Sequence, residues 1–129
     1  MIYLLIDTST PVCKMTLVKG DKRADYEWEA GRTLAKNIFT YFNEILNSAG
    51  VTYDSLDGLG VFRGPGSFTG LRIGLTVANT IASAQSIPIV GAIGEGWKRQ
   101  VVDRLVVGEN DEIVLPEYGS DARITKPRK

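Results

Sequence analysis

Residues 56–85 read LDGLGVFRGPGSFTGLRIGLTVANTIASAQ, and this stretch decides the fold of the chain. The apolar run at 56–62 predicts a buried strand, which the glycine-rich turn after it brings to an end. Ser67 is a favourable helix N-cap, and the nearly uncharged stretch behind it predicts a helix over 68–85. Residues 87–93, which include a helix-stopping proline, predict a further buried strand. Strand, helix and strand in this order indicate a βαβ unit.

The sequence on either side of this unit extends the same architecture. The other predicted elements are a strand at 2–6, antiparallel strands at 13–19 and 24–30, a helix at 34–49 ended by Gly50, and a last helix at 95–107. A three-stranded meander followed by βαβ units predicts an α/β fold with a mixed sheet. The ribonuclease H-like half of an actin-like domain has this order of elements.

The length of 129 residues predicts one domain. Periodic hydrophobicity ends near residue 107, so we expect a single folded lobe over residues 1–107. Residues 108–129 are predicted to be a flexible tail, because acids without bases at 109–121 are followed by a basic end.

Composition excludes several classes of protein. Acidic and basic residues number 15 each, so the chain has no overall basic field to hold nucleic acid. Histidine is absent and Cys13 is the only cysteine, which argues against a zinc hydrolase and predicts no metal site. A lone cysteine and a start without a leader pattern predict a cytoplasmic protein. The uncharged stretch at 73–94 contains many polar residues, which favours a buried helix and strand over a membrane span.

The glycine-rich turn allows two interpretations. In the first interpretation, free N–H groups at the start of the helix bind an anion together with Arg72, although the lysine of the P-loop is missing. In the other interpretation, small residues at every fourth position let another backbone approach closely, and packing of this kind is favoured. These small residues are Gly66, Gly70, Gly74, Ala78 and Ala82.

The helices predicted at 34–49 and 68–85 carry more apolar surface than one sheet face covers. A contact with another subunit is the favoured interpretation, and the alternative is that the two helices cover each other. The side chains expected at the contact are Ile38, Phe42, Ile45, Phe68, Leu71 and Leu75, with Gly66, Gly70, Gly74 and Ala78 allowing close approach.

Asp7, Thr8 and Ser9 follow the first strand, where an actin-like site would use a carboxylate near a metal-bound water and hydroxyl groups near phosphate. The favoured interpretation is an ordinary turn whose side chains bond their own backbone. Arg72 and these three residues are the only candidates for ligand contact. We predict no catalytic residue, because Cys13 lies in an alternating strand and no histidine is present to activate it.

Two motifs resemble those of the TsaB (YeaZ) family. They are Ile6-Asp7-Thr8-Ser9 and, with high specificity, the segment GPGSFTGLRIG at residues 64–74. The resemblance covers about residues 1–93. It implies a non-catalytic subunit of the bacterial machinery that makes N6-threonylcarbamoyladenosine beside the tRNA anticodon.

In that family the paralogue TsaD performs the transfer and TsaE is an ATPase partner. The resemblance implies that the helices at 34–49 and 67–85 form the contact with TsaD, and the homodimer contact when TsaD is absent. It further implies that TsaE binds through the TsaB–TsaD complex, that this chain contacts tRNA only indirectly, and that no membrane is involved.

Family members have two related lobes, and this sequence resembles the first, which implies a shortened member. The resemblance implies no cofactor held within the chain, with ATP or ADP confined to a subunit interface. The alternative is a degenerate actin-like ATP-binding protein or a peptidase-like protein that acts alone.

Overall fold

The computed structural model describes residues 1–117, which form a five-stranded sheet with helices on both faces. The elements are β1 (Ile2–Asp7), β2 (Val12–Lys19), β3 (Lys22–Glu29), α1 (Leu34–Ser48), β4 (Gly58–Phe62), α2 (Phe68–Gln85), β5 (Ile89–Ala92) and α3 (Trp97–Val106). The strand order is β3-β2-β1-β4-β5. Strands β1, β2 and β3 pair antiparallel, whereas β4 pairs parallel with β1 and β5. The predicted α/β class is therefore confirmed.

The centre of the sheet is β1, which is buried on both faces. Its side chains alternate: Leu4 and Ile6 join the core beneath α1 and α2, and Tyr3 and Leu5 join the core beneath α3. This explains why the strand is continuously apolar rather than alternating. The helix α3 lies on one face of the sheet, and α1 and α2 lie on the opposite face. A surface on α3 is therefore separated by the sheet from a surface on α1 and α2.

The helix that decides the fold begins and ends with the expected signals. The Ser67 hydroxyl accepts a hydrogen bond from the Gly70 N–H at 3.2 Å, which confirms the predicted N-cap. At the other end Ser86 adopts a left-handed conformation and the Ile87 N–H donates to the Ala82 carbonyl at 3.0 Å. Residue 87 is thus part of the helix end, which is why β5 starts later than the strand predicted at 87–93.

Residues 109–117, which we call the edge segment, fold back along β5 and β4. The edge segment is fastened at both ends, since the Asp111 N–H donates to the Ile89 carbonyl and the Glu117 N–H to the Arg63 carbonyl, each at 2.8 Å. Between these points Val114 is buried. This part of the tail predicted from residue 108 is therefore packed against the sheet. Residues 118–129, the rest of that predicted tail, lie outside the described residues.

The edge segment is ordered because distant residues supply partners for it. The side-chain amide of Asn79 in α2 both donates to and accepts from the backbone of Val114, at 2.9 Å in each direction. Asp111 is paired with Arg104 of α3, so its charge is not left unbalanced. Composition alone showed the acids and missed these partners.

Candidate functional site

The glycine stripe of α2 packs against the end of β1 in the same chain. A methyl group added at Gly70 would overlap the Thr8 carbonyl oxygen, and one added at Gly74 would overlap the Thr8 hydroxyl. The Ser67 N–H donates to the Ser9 carbonyl at 2.8 Å, and the buried Thr8 hydroxyl donates to the Gly70 carbonyl at 2.7 Å. The favoured interpretation, packing, is confirmed here, and the approaching backbone belongs to residues 8–9 rather than to a partner.

Asp7 and Ser9 form a turn by bonding to each other. One carboxylate oxygen of Asp7 accepts from the Ser9 N–H at 2.9 Å and from the Ser9 hydroxyl at 2.6 Å. Both residues also line a hollow of about 730 Å³ that lies between the start of α3 and the ends of β1 and β4. Its other lining side chains carry both signs of charge and include Glu95 and Lys98. Arg72 lies on the other face of the sheet. The structure therefore separates Arg72 from Asp7 and Ser9, whereas Thr8 packs against Gly70 and Gly74 of α2.

Cys13 is unsuited to act as a nucleophile. Its side chain is fully buried in the core beneath α1. Burial, and to a lesser extent the nearby Asp7 carboxylate, raise the pKa of the Cys13 thiol to about 12. The thiol is therefore protonated at neutral pH.

Residues 1–117 contain neither a cluster of metal-binding side chains nor a membrane-spanning helix. Within this part of the chain, no three His, Cys, Asp or Glu side chains are grouped closely enough to hold a metal ion. None of the helices described there is both long and apolar enough to cross a membrane.

Most side chains predicted for a partner contact lie in the core of the chain itself. The helices α1 and α2 cover each other and one face of the sheet, which was the alternative interpretation. The predicted contact residues buried in this way are Ile38, Phe42, Ile45, Gly70, Leu71, Gly74, Leu75 and Ala78. Their apolar side chains are therefore unavailable as surface contacts. Gly66 is exposed but closely approached by Ser9, and Phe68 alone of the large side chains remains on the surface.

The helices nevertheless present an apolar surface along the line where they meet. Phe68 is 54% exposed, and Phe39, which sequence reasoning did not select, is 48% exposed. Two hollows lie between the helices, and we call them together the α1–α2 groove. One, of about 440 Å³, is lined by Ala35, Phe68, Arg72 and Thr76 among others. The other, of about 330 Å³, is lined by Phe39 and Thr80 among others.

Arg72 gives the groove its charge. It is the only charged residue of α2, and its guanidinium carbon lies 5.5 Å from the centre of the Phe68 ring. A cation over an aromatic face at this distance is attracted by the ring and holds it in place. Apart from Phe68 and Arg72, the exposed side chains of α2 are short, so another helix can approach this surface closely.

The mixed sheet and its two helical layers define a ribonuclease H-like lobe of the actin-like class. Residues 28–92 match the sequence model of the family described as "TsaD: tRNA N6-adenosine threonylcarbamoyltransferase". The chain belongs to this family, and within it to the TsaB (YeaZ) proteins, as its relatives show. The resemblance noted in the sequence is thereby confirmed.

Three relatives show the extent of the match. The tRNA threonylcarbamoyladenosine biosynthesis protein TsaB of Haemophilus influenzae is 36% identical over 90 residues, which cover 70% of this chain and 38% of that protein. The protein of the same name from Escherichia coli is 30% identical over 131 residues, covering 94% and 56%. The structure of YeaZ from Pseudomonas aeruginosa superimposes with a TM-score of 0.67 at 29% identity, covering 71% and 43%. The chain thus spans about half the length of these relatives or less.

Proposed function

We propose that this chain is a non-catalytic subunit of the machinery that makes N6-threonylcarbamoyladenosine in tRNA, and that it binds TsaD through the α1–α2 groove. The observation that carries the proposal is the pair of half-exposed rings, Phe39 and Phe68, beside this groove in a member of the TsaB family. Exposed aromatic side chains beside a concave apolar surface are typical of protein interfaces.

The groove also suggests the chemistry of the partner surface. The hollow beside Phe68 is large enough for an aliphatic side chain, and Arg72 lies at its rim. A partner that places a carboxylate near Arg72 and an apolar side chain in this hollow would be complementary in charge and shape. We expect the same groove to support self-association when TsaD is absent.

The non-catalytic role is supported by the state of the candidate residues. Asp7 and Ser9 bond to each other, Thr8 bonds to α2, and the Cys13 thiol is buried with a raised pKa. In this proposal TsaD performs the transfer, TsaE joins through the complex with TsaD, and tRNA is met through that complex. ATP or ADP is expected at a subunit interface rather than within this chain.

Binding of purified TsaD to variants of the two exposed rings tests the proposal. Placing a charge at the centre of an apolar contact typically weakens binding at least about tenfold, so Phe39→Asp and Phe68→Asp should each do so. Val106→Asp is a matched control, because Val106 is also exposed but lies on α3, across the sheet. Unchanged affinity in both ring variants, or equal loss in the control, would contradict the proposed interface.

A further inference from the structure

The outer edge of β5, the last strand of the sheet, is closed by the edge segment. The Ile89 N–H donates to Asn110 Oδ1 at 3.1 Å, and the Gly91 N–H donates to Asp111 Oδ2 at 3.0 Å. The Ile89 carbonyl accepts from the backbone N–H of Asp111 at 2.8 Å. Two side chains and one backbone group of the edge segment thus take the places that a neighbouring strand would occupy.

Arg104 of α3 completes this closure. Its Nη1 donates to the Gly91 carbonyl at 2.9 Å and to Asp111 Oδ2 at 3.1 Å, and its Nη2 is also bonded to Asp111. Its Nε donates to Glu109 at 2.6 Å. A single guanidinium therefore joins the outer edge of β5 to two carboxylates of the edge segment.

The edge segment resembles a strand in its pattern of burial but does not pair as one. Val114 points inward and is buried, whereas Ile113 and Leu115 on either side of it are each 66% exposed. Apart from its two backbone bonds, to the Ile89 and Arg63 carbonyls, it is held by side chains: the Asn79 amide bonds Val114, and Arg63 Nε donates to the Leu115 carbonyl at 2.8 Å. Contacts of this kind can be lost one at a time, unlike a cooperative ladder of backbone bonds.

An uncovered strand edge is a template for pairing with another chain, and native proteins commonly block it. We propose that the edge segment is a latch that closes β5 against strand addition, and that its release lets the β5 strands of two copies pair. A second copy is the occupant that fits, because antiparallel pairing about a two-fold axis would satisfy the Ile89 and Gly91 groups of both chains with each other. This contact lies on a different part of the molecule from the α1–α2 groove.

Amide exchange and sedimentation test the latch in a chain that carries both Phe39→Asp and Phe68→Asp, so that association through the α1–α2 groove is suppressed. In this background the double variant Asn110→Ala, Asp111→Ala should lose at least about tenfold in the protection of the Ile89 and Gly91 amides. It should also form a dimer that the background protein does not form. The β1 amides report whether the fold is intact. Glu112→Ala, an exposed change in the same segment, is the matched control and should change neither measurement.

Asp111→Asn keeps the test decisive if the double variant does not fold. Its amide oxygen can still accept from the Gly91 N–H, while the negative charge and the second oxygen that accepts from Arg104 are lost, so a smaller loss of protection is expected. Unchanged exchange at Ile89 and Gly91 would overturn the proposal, because something else would then close the edge. A variant with fast exchange at both amides that stays monomeric would also overturn it, because the opened edge would not pair.

Discussion

The packing of α2 on the end of β1 makes a quantitative prediction for Gly74→Ala. Replacing glycine by alanine inside a helix ordinarily stabilises a protein by about 0.5–1 kcal/mol. Here the new methyl group would overlap the Thr8 hydroxyl and lie 2.8 Å from the Thr8 methyl carbon. Overpacking of a buried site costs about 1–3 kcal/mol, and the upper part of that range applies because both branches of the Thr8 side chain obstruct. We therefore expect a net loss of about 2 kcal/mol in the free energy of unfolding.

A second variant identifies the obstructing atoms. In Thr8→Ala the hydroxyl and the methyl group are both gone, and only the Thr8 Cβ remains at 3.0 Å. The loss caused by Gly74→Ala should then fall close to zero, which is a coupling of about 2 kcal/mol in a double-mutant cycle. Gly70→Ala is the matched comparison. Its methyl group meets the main-chain oxygen of Thr8, so its effect should be the same in both backgrounds.

Urea unfolding followed by tryptophan fluorescence measures these free energies, with Trp28 and Trp97 as probes in separate parts of the fold. A Gly74→Ala protein as stable as the wild type would refute the close-packing argument. So would an equal loss with threonine or alanine at position 8, because the obstruction would then come from other atoms.

Three further outcomes are expected. Cys13 should resist thiol reagents at about pH 8 in the folded protein and react in urea, because burial keeps it protonated and inaccessible. Asn79→Ala should lower the free energy of unfolding by about 1–3 kcal/mol, since it removes both bonds to the edge segment. Burial raises the pKa of the Asp111 carboxyl, but hydrogen bonds from Arg104 and the backbone lower it more, so the net value lies below the usual range. The stability that the charged form of Asp111 contributes is therefore complete above its unfolded pKa and lost as the pH falls through its lowered folded pKa. The free energies of unfolding of wild type and Asp111→Asn, measured in urea, should converge over that acidic range.

The elements of this fold could be predicted because their signals are local. The helix α2 shows its N-cap, its nearly uncharged body and the proline beyond its end within one continuous stretch. The start of the strand after it was predicted wrongly at residue 87, since Ile87 is apolar enough for a strand but completes the helix end. Local sequence is enough to predict that such an element exists, whereas the residue at which it begins or ends depends on its capping interactions.

The candidate site could be predicted only in part. The spacing of small residues on α2 indicates that another part of the protein packs closely against the helix, but it does not show which part. The stripe of small residues correctly indicated close approach, but Thr8 lies more than sixty residues before Gly70 and its contact is tertiary. Likewise Ile38 and Phe39 are neighbours with similar hydrophobicity. The packing of α1 against α2 and the sheet buries the first and exposes the second. Which side of a broad apolar face is covered depends on the whole fold.

We propose that TsaD needs this chain and contacts it through the α1–α2 groove. The most direct measurement is the yield of N6-threonylcarbamoyladenosine in tRNA, in a reaction reconstituted with TsaD and the other pathway enzymes of the same organism. We expect modification with the wild-type chain, none without it, and a yield at least about tenfold lower with the double variant Phe39→Asp, Phe68→Asp. An equal yield in the absence of the chain would contradict the proposed function. Full activity of the double variant would contradict the assigned interface.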